Sequence, residues 1–138
     1  MMKRIFLFLC LAFTLCGGSA QSLRDRSNML VGKIEQNGTV RDSNNKMIGK
    51  FESDGDVRDG MNMLVGKIET NGTIRDKSNM TIGKVESDGT VRDKNNMTIG
   101  KVESGGTVRD KSNMTIGYAK DIPKTYAAVF FLFKLFEK

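Results

Sequence analysis

The sequence predicts an all-β fold: a closed, toroid-like ring of five to six β-hairpins, each 17 residues long, with a hydrophobic C-terminal segment packing on it. Three observations predict it. Arg-Asp recurs every 17 residues, at Arg24, Arg41, Arg58, Arg75, Arg92 and Arg109, so one structural unit is being copied and must stack on its copies to bury an apolar face. Each unit carries two turn signals, which leaves room for two strands of roughly five residues. Half a unit is left over at each end of the array, and pairing the halves would close it.

In chain order, residues 1–20 read as a signal peptide. Lys3 and Arg4 form a positive n-region, Ile5 to Leu15 is an apolar stretch of 11, and Gly18-Ser19-Ala20 offers the small residues of a cleavage site. Eleven apolar residues are too few for a membrane span, which needs about 20. Lipidation of Cys16 is the competing reading, but Phe13-Thr14-Leu15 lacks the small residue expected before a lipidated cysteine. Cleavage near Ala20 implies export to the periplasm, the cell surface or the medium, with Gln21 at the new N-terminus. It removes Cys10 and Cys16, the two cysteines of the chain, so export comes without disulfides. The net charge of +6 loses Lys3 and Arg4, and the rest alternates in sign instead of forming the basic stripe that nucleic acid requires.

The repeat domain is expected over residues 21–125. Met80 to Asn96 is a representative unit, and its two glycines and β-branched residues argue against a helix. The first turn is Gln36-Asn37-Gly38 and its copies. A two-residue Asn-Gly turn would set Glu35 against Val40. A three-residue loop with Gly in the left-handed region sets Ile34 opposite Val40 and Lys33 opposite Arg41, and is preferred because register follows the buried face. The second turn is Asp-x-x-Asn, with Asn28, Asn45, Asn62, Asn79, Asn96 and Asn113 at one position; Asn tolerates positive φ and Asp bonds the backbone two residues on. These Asp and Asn are read as turn chemistry. A calcium site needs about 6–8 oxygens and no EF-hand pattern is present.

Val31, Ile48, Val65, Ile82, Ile99 and Ile116 lie three residues before Ile34, Phe51, Ile68, Val85 and Val102 and their like. Residues three apart on a regular strand face opposite ways. The Gly between them therefore predicts a bulge or a close backbone approach; a sheet buried on both faces is the alternative. Val40, Val57, Ile74, Val91 and Val108 complete the inner set. Met29, Met63, Met80, Met97 and Met114 are expected to fill gaps in the core. Lys33, Glu35, Arg41 and their copies form rows of alternating charge, read first as a solvated face with weak ion pairs. The sharper reading is a ligand ring of Arg41, Arg58, Arg75, Arg92 and Arg109 holding a carboxylate, phosphate or acidic sugar.

Residues 126–138 form the third segment. Tyr126 to Phe136 carries one charge in 11 residues, too short to span a membrane, and its aromatic content suits a last strand or a plug across the ring's end. An exposed docking or membrane-surface patch is the alternative.

Units of the form Ile82-Gly83-Lys84-Val85-Glu86-Ser87-Asp88-Gly89-Thr90-Val91-Arg92-Asp93, behind an apolar leader and before Ala127-Ala128-Val129-Phe130-Phe131, resemble the small secreted bacterial five-fold β-flower proteins. The resemblance implies a petal-like closed ring. It implies no activity and no functional residues.

Catalysis is not expected. Without its leader the chain has no His or Cys, no nucleophile with a partner base and no phosphate loop, and its Glu and Asp recur as scaffold residues do. No catalytic, cofactor-binding or metal-binding residue is assigned and no cofactor is expected. The reading is a non-catalytic structural or interaction module of the bacterial envelope, its partner unknown, with a glycan or an envelope protein as candidates. The alternative is a carbohydrate- or anion-binding module using the Arg/Lys/Asp/Asn rims. Sugar stacking would have only Tyr118 and Tyr126 to use.

Overall fold

The structure, a computed structural model, describes residues 20–137. The expected leader and the Cys16 alternative lie outside these residues. Twelve antiparallel strands follow one another: β1 (Gln21–Asp25), β2 (Leu30–Ile34), β3 (Thr39–Asp42), β4 (Met47–Phe51), β5 (Asp56–Asp59), β6 (Leu64–Ile68), β7 (Thr73–Asp76), β8 (Thr81–Val85), β9 (Thr90–Asp93), β10 (Thr98–Val102), β11 (Thr107–Asp110) and β12 (Thr115–Tyr118). Each pairs with its chain neighbours, and β1 pairs with β12, so the sheet closes without an edge.

Closure settles the symmetry left open by the sequence. Arg24 sits opposite Tyr118 and Asp25 opposite Gly117. This is the register of Lys33 with Arg41 and Gly32 with Asp42 inside a complete hairpin. The leftover halves thus build a sixth petal, joined by strand pairing where the others are joined by a turn.

Both turns form as the sequence predicts. Ile34 faces Val40 across the first hairpin. The Gly38 N–H donates to Glu35 O at 2.9 Å, and Gly38 has φ +94°. That conformation suits glycine, which has no Cβ to clash. At the other turn Asn45 sits at φ +68°, and Asp42 Oδ1 accepts from the Asn44 and Lys46 N–H groups at 2.9 and 3.0 Å. Because the chain runs up and down, all glycine turns crowd one mouth of the ring and all asparagine turns the other.

The bulge is present as well. Val40 pairs with Gly49 and Arg41 with Met47, leaving Ile48 as the extra residue. The same skip recurs at Val31, Val65, Ile82, Ile99 and Ile116. It turns these half-buried side chains onto the core. Leu23, Val40, Val57, Ile74, Val91 and Val108 form a fully buried inner belt, one per petal.

The methionines break the expectation. Met29, Met63, Met80, Met97 and Met114 are 60–65% exposed. Each of them follows the turn asparagine directly and stands on the rim just before its strand begins, and the bulge residue two places later takes the core position instead.

The C-terminal segment is a plug, and not a last strand. Pro123 leads into helix α1 (Lys124–Ala128), which widens into a π-helical segment (Val129–Phe133). Ala127, Ala128 and Val129 are fully buried inside the ring. Beyond them the chain makes a wide loop closed by Leu135 N–H on Val129 O at 3.4 Å. A strand there would have no free edge to pair with, since the ring is already closed.

The six ladder glycines receive this loop. Gly32, Gly117, Gly100, Gly83, Gly66 and Gly49 face Phe130, Phe131, Leu132, Phe133, Leu135 and Phe136 in turn, once round the ring. A Cβ at Gly66 would lie 2.7 Å from Leu135 Cδ1 and 2.8 Å from the Arg75 carbonyl oxygen. Lys134, the residue that skips a notch, has φ +54° and is exposed.

Candidate functional site

The ring positions three sets of polar or exposed side chains: an arginine ladder on the outer wall, a cleft at the glycine-turn mouth, and a rim at the asparagine-turn mouth.

Arg41, Arg58, Arg75, Arg92 and Arg109 alternate with the buried valines and isoleucine of the inner belt, so they point outward. Their Nε atoms meet Glu35, Glu52, Glu69, Glu86 and Glu103 at 3.1, 3.4, 2.8, 3.2 and 3.1 Å. Their Nη1 atoms donate to the carbonyls of Asn45, Asn62, Asn79, Asn96 and Asn113 at 3.1–3.2 Å. Arg75, Arg92 and Arg109 also reach Thr81, Thr98 and Thr115 Oγ1 on the following strand. Each guanidinium therefore ties its own hairpin to the next. The five stand around the circumference and do not converge on a common centre.

The glycine-turn mouth holds a cleft of about 420 Å³. The turns at Ser53-Asp54-Gly55 and Thr70-Asn71-Gly72 form its walls, and Lys124 and Tyr126 of α1 its inner side. The Tyr126 ring stacks on Phe51, centroids 4.0 Å apart and planes 3° from parallel. Lys124 Nζ donates to Ser87 O at 3.3 Å. Carboxylate oxygens of Glu52, Asp54 and Asp56 lie within 4.8 Å of one another. Arg58 partly neutralises them, with Nη2 3.5 Å from Asp56 Oδ2. Asp56 was missed by treating every carboxylate as a scaffold residue. It stands where the other petals have Thr39, Thr73, Thr90 and Thr107, and that departure is visible in the sequence.

Across the same mouth the turns carry Asx bonds. The Asp88 carboxyl is held below the usual carboxylate range, first by the Thr90 backbone N–H and then by the Thr90 hydroxyl. Asn37 and Asn71 accept the corresponding N–H bond, at 3.0 Å in each case.

The opposite rim is apolar and basic. Met61 is 78% exposed, beyond even the five methionines already placed there. Arg26, Lys77, Lys94 and Lys111 follow the turn aspartates and are exposed at the tips, with Lys46 and Lys134 beside them. The aspartates Asp25, Asp76, Asp93 and Asp110 fold inward, one oxygen of each accepting two backbone N–H groups. Inside this rim lies a depression of about 440 Å³ lined by Val31, Ile48, Ile116, Phe130, Phe131 and Phe136, with the charged Asp25, Lys134 and Glu137 beside them. No helix among the described residues is long and apolar enough to cross a membrane.

The sequence profile of the family described as 5-fold beta-flower protein matches residues 20–135, the whole ring and nearly all of its plug. No curated protein and no solved structure matches the chain.

Proposed function

We propose, for a chain that belongs to the 5-fold beta-flower protein family, a role as a non-catalytic, exported structural or interaction module of the bacterial envelope. The observation that carries this reading is the use made of the repeated polar side chains. The turn aspartates cap backbone N–H groups, and the glutamates and arginines stitch neighbouring hairpins together. The repeat thereby builds a rigid frame, and recognition falls to the two mouths, where exposed and non-repeating residues gather.

Carbohydrate or anion binding is the second reading, and the cleft at Tyr126 favours it. An aromatic face flanked by carboxylates, Asn71 and Lys124 matches the way a sugar ring presents one apolar face and an edge of hydroxyls. An anion on the outer arginines, in contrast, must displace a glutamate from each guanidinium. A glycan array paired with thermal-shift screening of neutral and acidic sugars tests both versions. Stabilisation by neutral sugars that Tyr126→Ala removes supports the cleft. Stabilisation by acidic sugars that Arg75→Gln weakens supports the ladder. If no sugar moves the melting temperature, the binding reading is withdrawn and the structural one stands.

A further inference from the structure

We propose that the asparagine-turn rim is a docking surface for an anionic lipid bilayer. The inference deepens the interaction reading and rests on it.

Five equivalent methionines and Met61 stand at that rim, each at least 60% exposed. The turns that carry them share one geometry: their asparagines have φ of 66–68°, and the registers repeat from petal to petal. Equivalent turns of an up-and-down closed ring all open on the same mouth, so these exposed thioethers, with Lys46 at the sixth equivalent place, share one end of the barrel. The half-buried Phe130 and Phe131 line the depression within it. A monomer that keeps a contiguous apolar patch of this kind exposes an interaction site.

Charge decides the occupant. Arg26, Lys46, Lys77, Lys94, Lys111 and Lys134 are exposed around the same circle. The turn aspartates are engaged with their own loops, and Glu137 at the depression is an exposed carboxylate set against these six cations. A second copy docked rim to rim would bring two cationic crowns together, which opposes that arrangement. An anionic bilayer accepts both components, since thioethers enter the interface while lysines and arginine meet lipid headgroups. Methionine, unbranched and deformable, suits a disordered lipid surface.

The far mouth supplies the contrast within the molecule. Glu52, Asp54, Asp56, Glu69, Glu86 and Asp88 gather there, with Lys50, Lys101 and Lys124 among them. That mouth is of mixed charge and has no methionine circle, and the proposed orientation points it away from the bilayer.

The test is co-sedimentation of the chain from Ala20 onward, which holds the whole closed ring and its plug, with vesicles of phosphatidylglycerol and phosphatidylcholine or of phosphatidylcholine alone. Binding to the anionic vesicles only is expected, weakening with added salt. Lys77→Gln, Lys94→Gln and Lys111→Gln together lower the partition constant about a hundredfold, near fivefold per lysine. Met80→Gln, Met97→Gln and Met114→Gln lower it by about tenfold or more while leaving the melting temperature in place, because these side chains are exposed. Equal binding to neutral vesicles, or a lysine variant that binds like the parent, overturns the charge argument and with it the proposal. So does a folded protein that ignores both vesicle types. In that case the glycan array still judges the broader interaction reading separately.

Discussion

The ring repeats one hairpin six times, whereas the plug follows no repeat, and the two meet glycine against side chain at every petal. Ring order comes from local rules: Gly and Asn at positive φ, Asp on backbone N–H, and register following the buried belt. The plug has no such local logic. Its helix widens into a π-helical segment, a geometry that recurs in proteins only as short stretches. The widened loop lets Phe130, Phe131, Leu132, Phe133, Leu135 and Phe136 address the glycine notches in sequence order. A symmetric socket thus accepts an asymmetric peg, because a notch without a Cβ fits Leu and Phe alike.

The largest effect should follow from removing the peg. A chain ending at Ile122 loses seven large apolar side chains from Val129 to Phe136, each worth about 1.5–3 kcal/mol when fully buried. Even discounted for partial exposure, the sum rivals the whole stability of a small domain, about 5–15 kcal/mol. The shortened chain is expected to lose its cooperative thermal transition and to bind a hydrophobic dye. A sharp melt near that of the parent would show that the ring holds itself up and that the plug is an accessory.

A single notch sharpens the same comparison. Gly66→Ala sets a methyl against both the Arg75 carbonyl and Leu135, and overpacking of this kind costs about 1–3 kcal/mol. Leu135→Ala relieves one of the two clashes. In urea titrations the double variant should therefore lose less than the sum of the single losses, by roughly 0.5 kcal/mol or more. Strict additivity would mean that plug and notch do not press on each other, and that the carbonyl alone demands glycine there.

The same division explains what could be read beforehand. Gly38 and Asn45 declare their turns because each residue's own backbone preference decides its conformation, with no help from distant parts. Arg24 and Gly117 announce closure because they complete a pattern written five times between them. The plug could be placed at the ring's end, yet its helical form could not be read. Its partners are backbone notches on six different petals, and nothing local in Phe130 to Phe136 refers to them. The methionines were misassigned for a related reason: hydrophobicity argued for the core, while the turn length, which fixes the strand's starting face, argued for the rim. Asp56 was legible, as a carboxylate in a column of threonines.

Smaller effects probe how uniform the ring is. Gly105 occupies the turn position held elsewhere by Asn37, Asp54, Asn71 and Asp88, and so its petal has no side-chain acceptor for the Thr107 N–H. It is not among the positive-φ glycines, and an added Cβ there would meet nothing within 4 Å. Gly105→Asn should therefore stabilise the protein by about 0.5–1.5 kcal/mol, through the new bond and a less flexible unfolded chain. Thermal unfolding is the check. A loss of stability would mean that this petal differs from its neighbours by more than one side chain.

The smallest expected effect concerns Asp88, whose carboxylate accepts the Thr90 N–H at 2.9 Å. Because the Thr90 bonds, with minor help from Lys101 and Lys124, hold its folded value below the ordinary one of 3.8, the ionised carboxylate favours the folded state. The sign follows from linkage. This contribution is present in full above the unfolded value and disappears as pH falls through the folded value, below 3.8. Asp88→Asn keeps an acceptor oxygen, as Asn37 and Asn71 do, but removes the charge. The melting temperature of the parent should thus exceed that of the variant near neutral pH, and the gap should narrow as the pH is lowered past 3.8. All other carboxylates titrate in both proteins and cancel from the difference. A gap of constant size from pH 7 to pH 2 would assign the stabilisation to hydrogen-bond geometry alone, and the charged and neutral petals would then be equivalent at every pH.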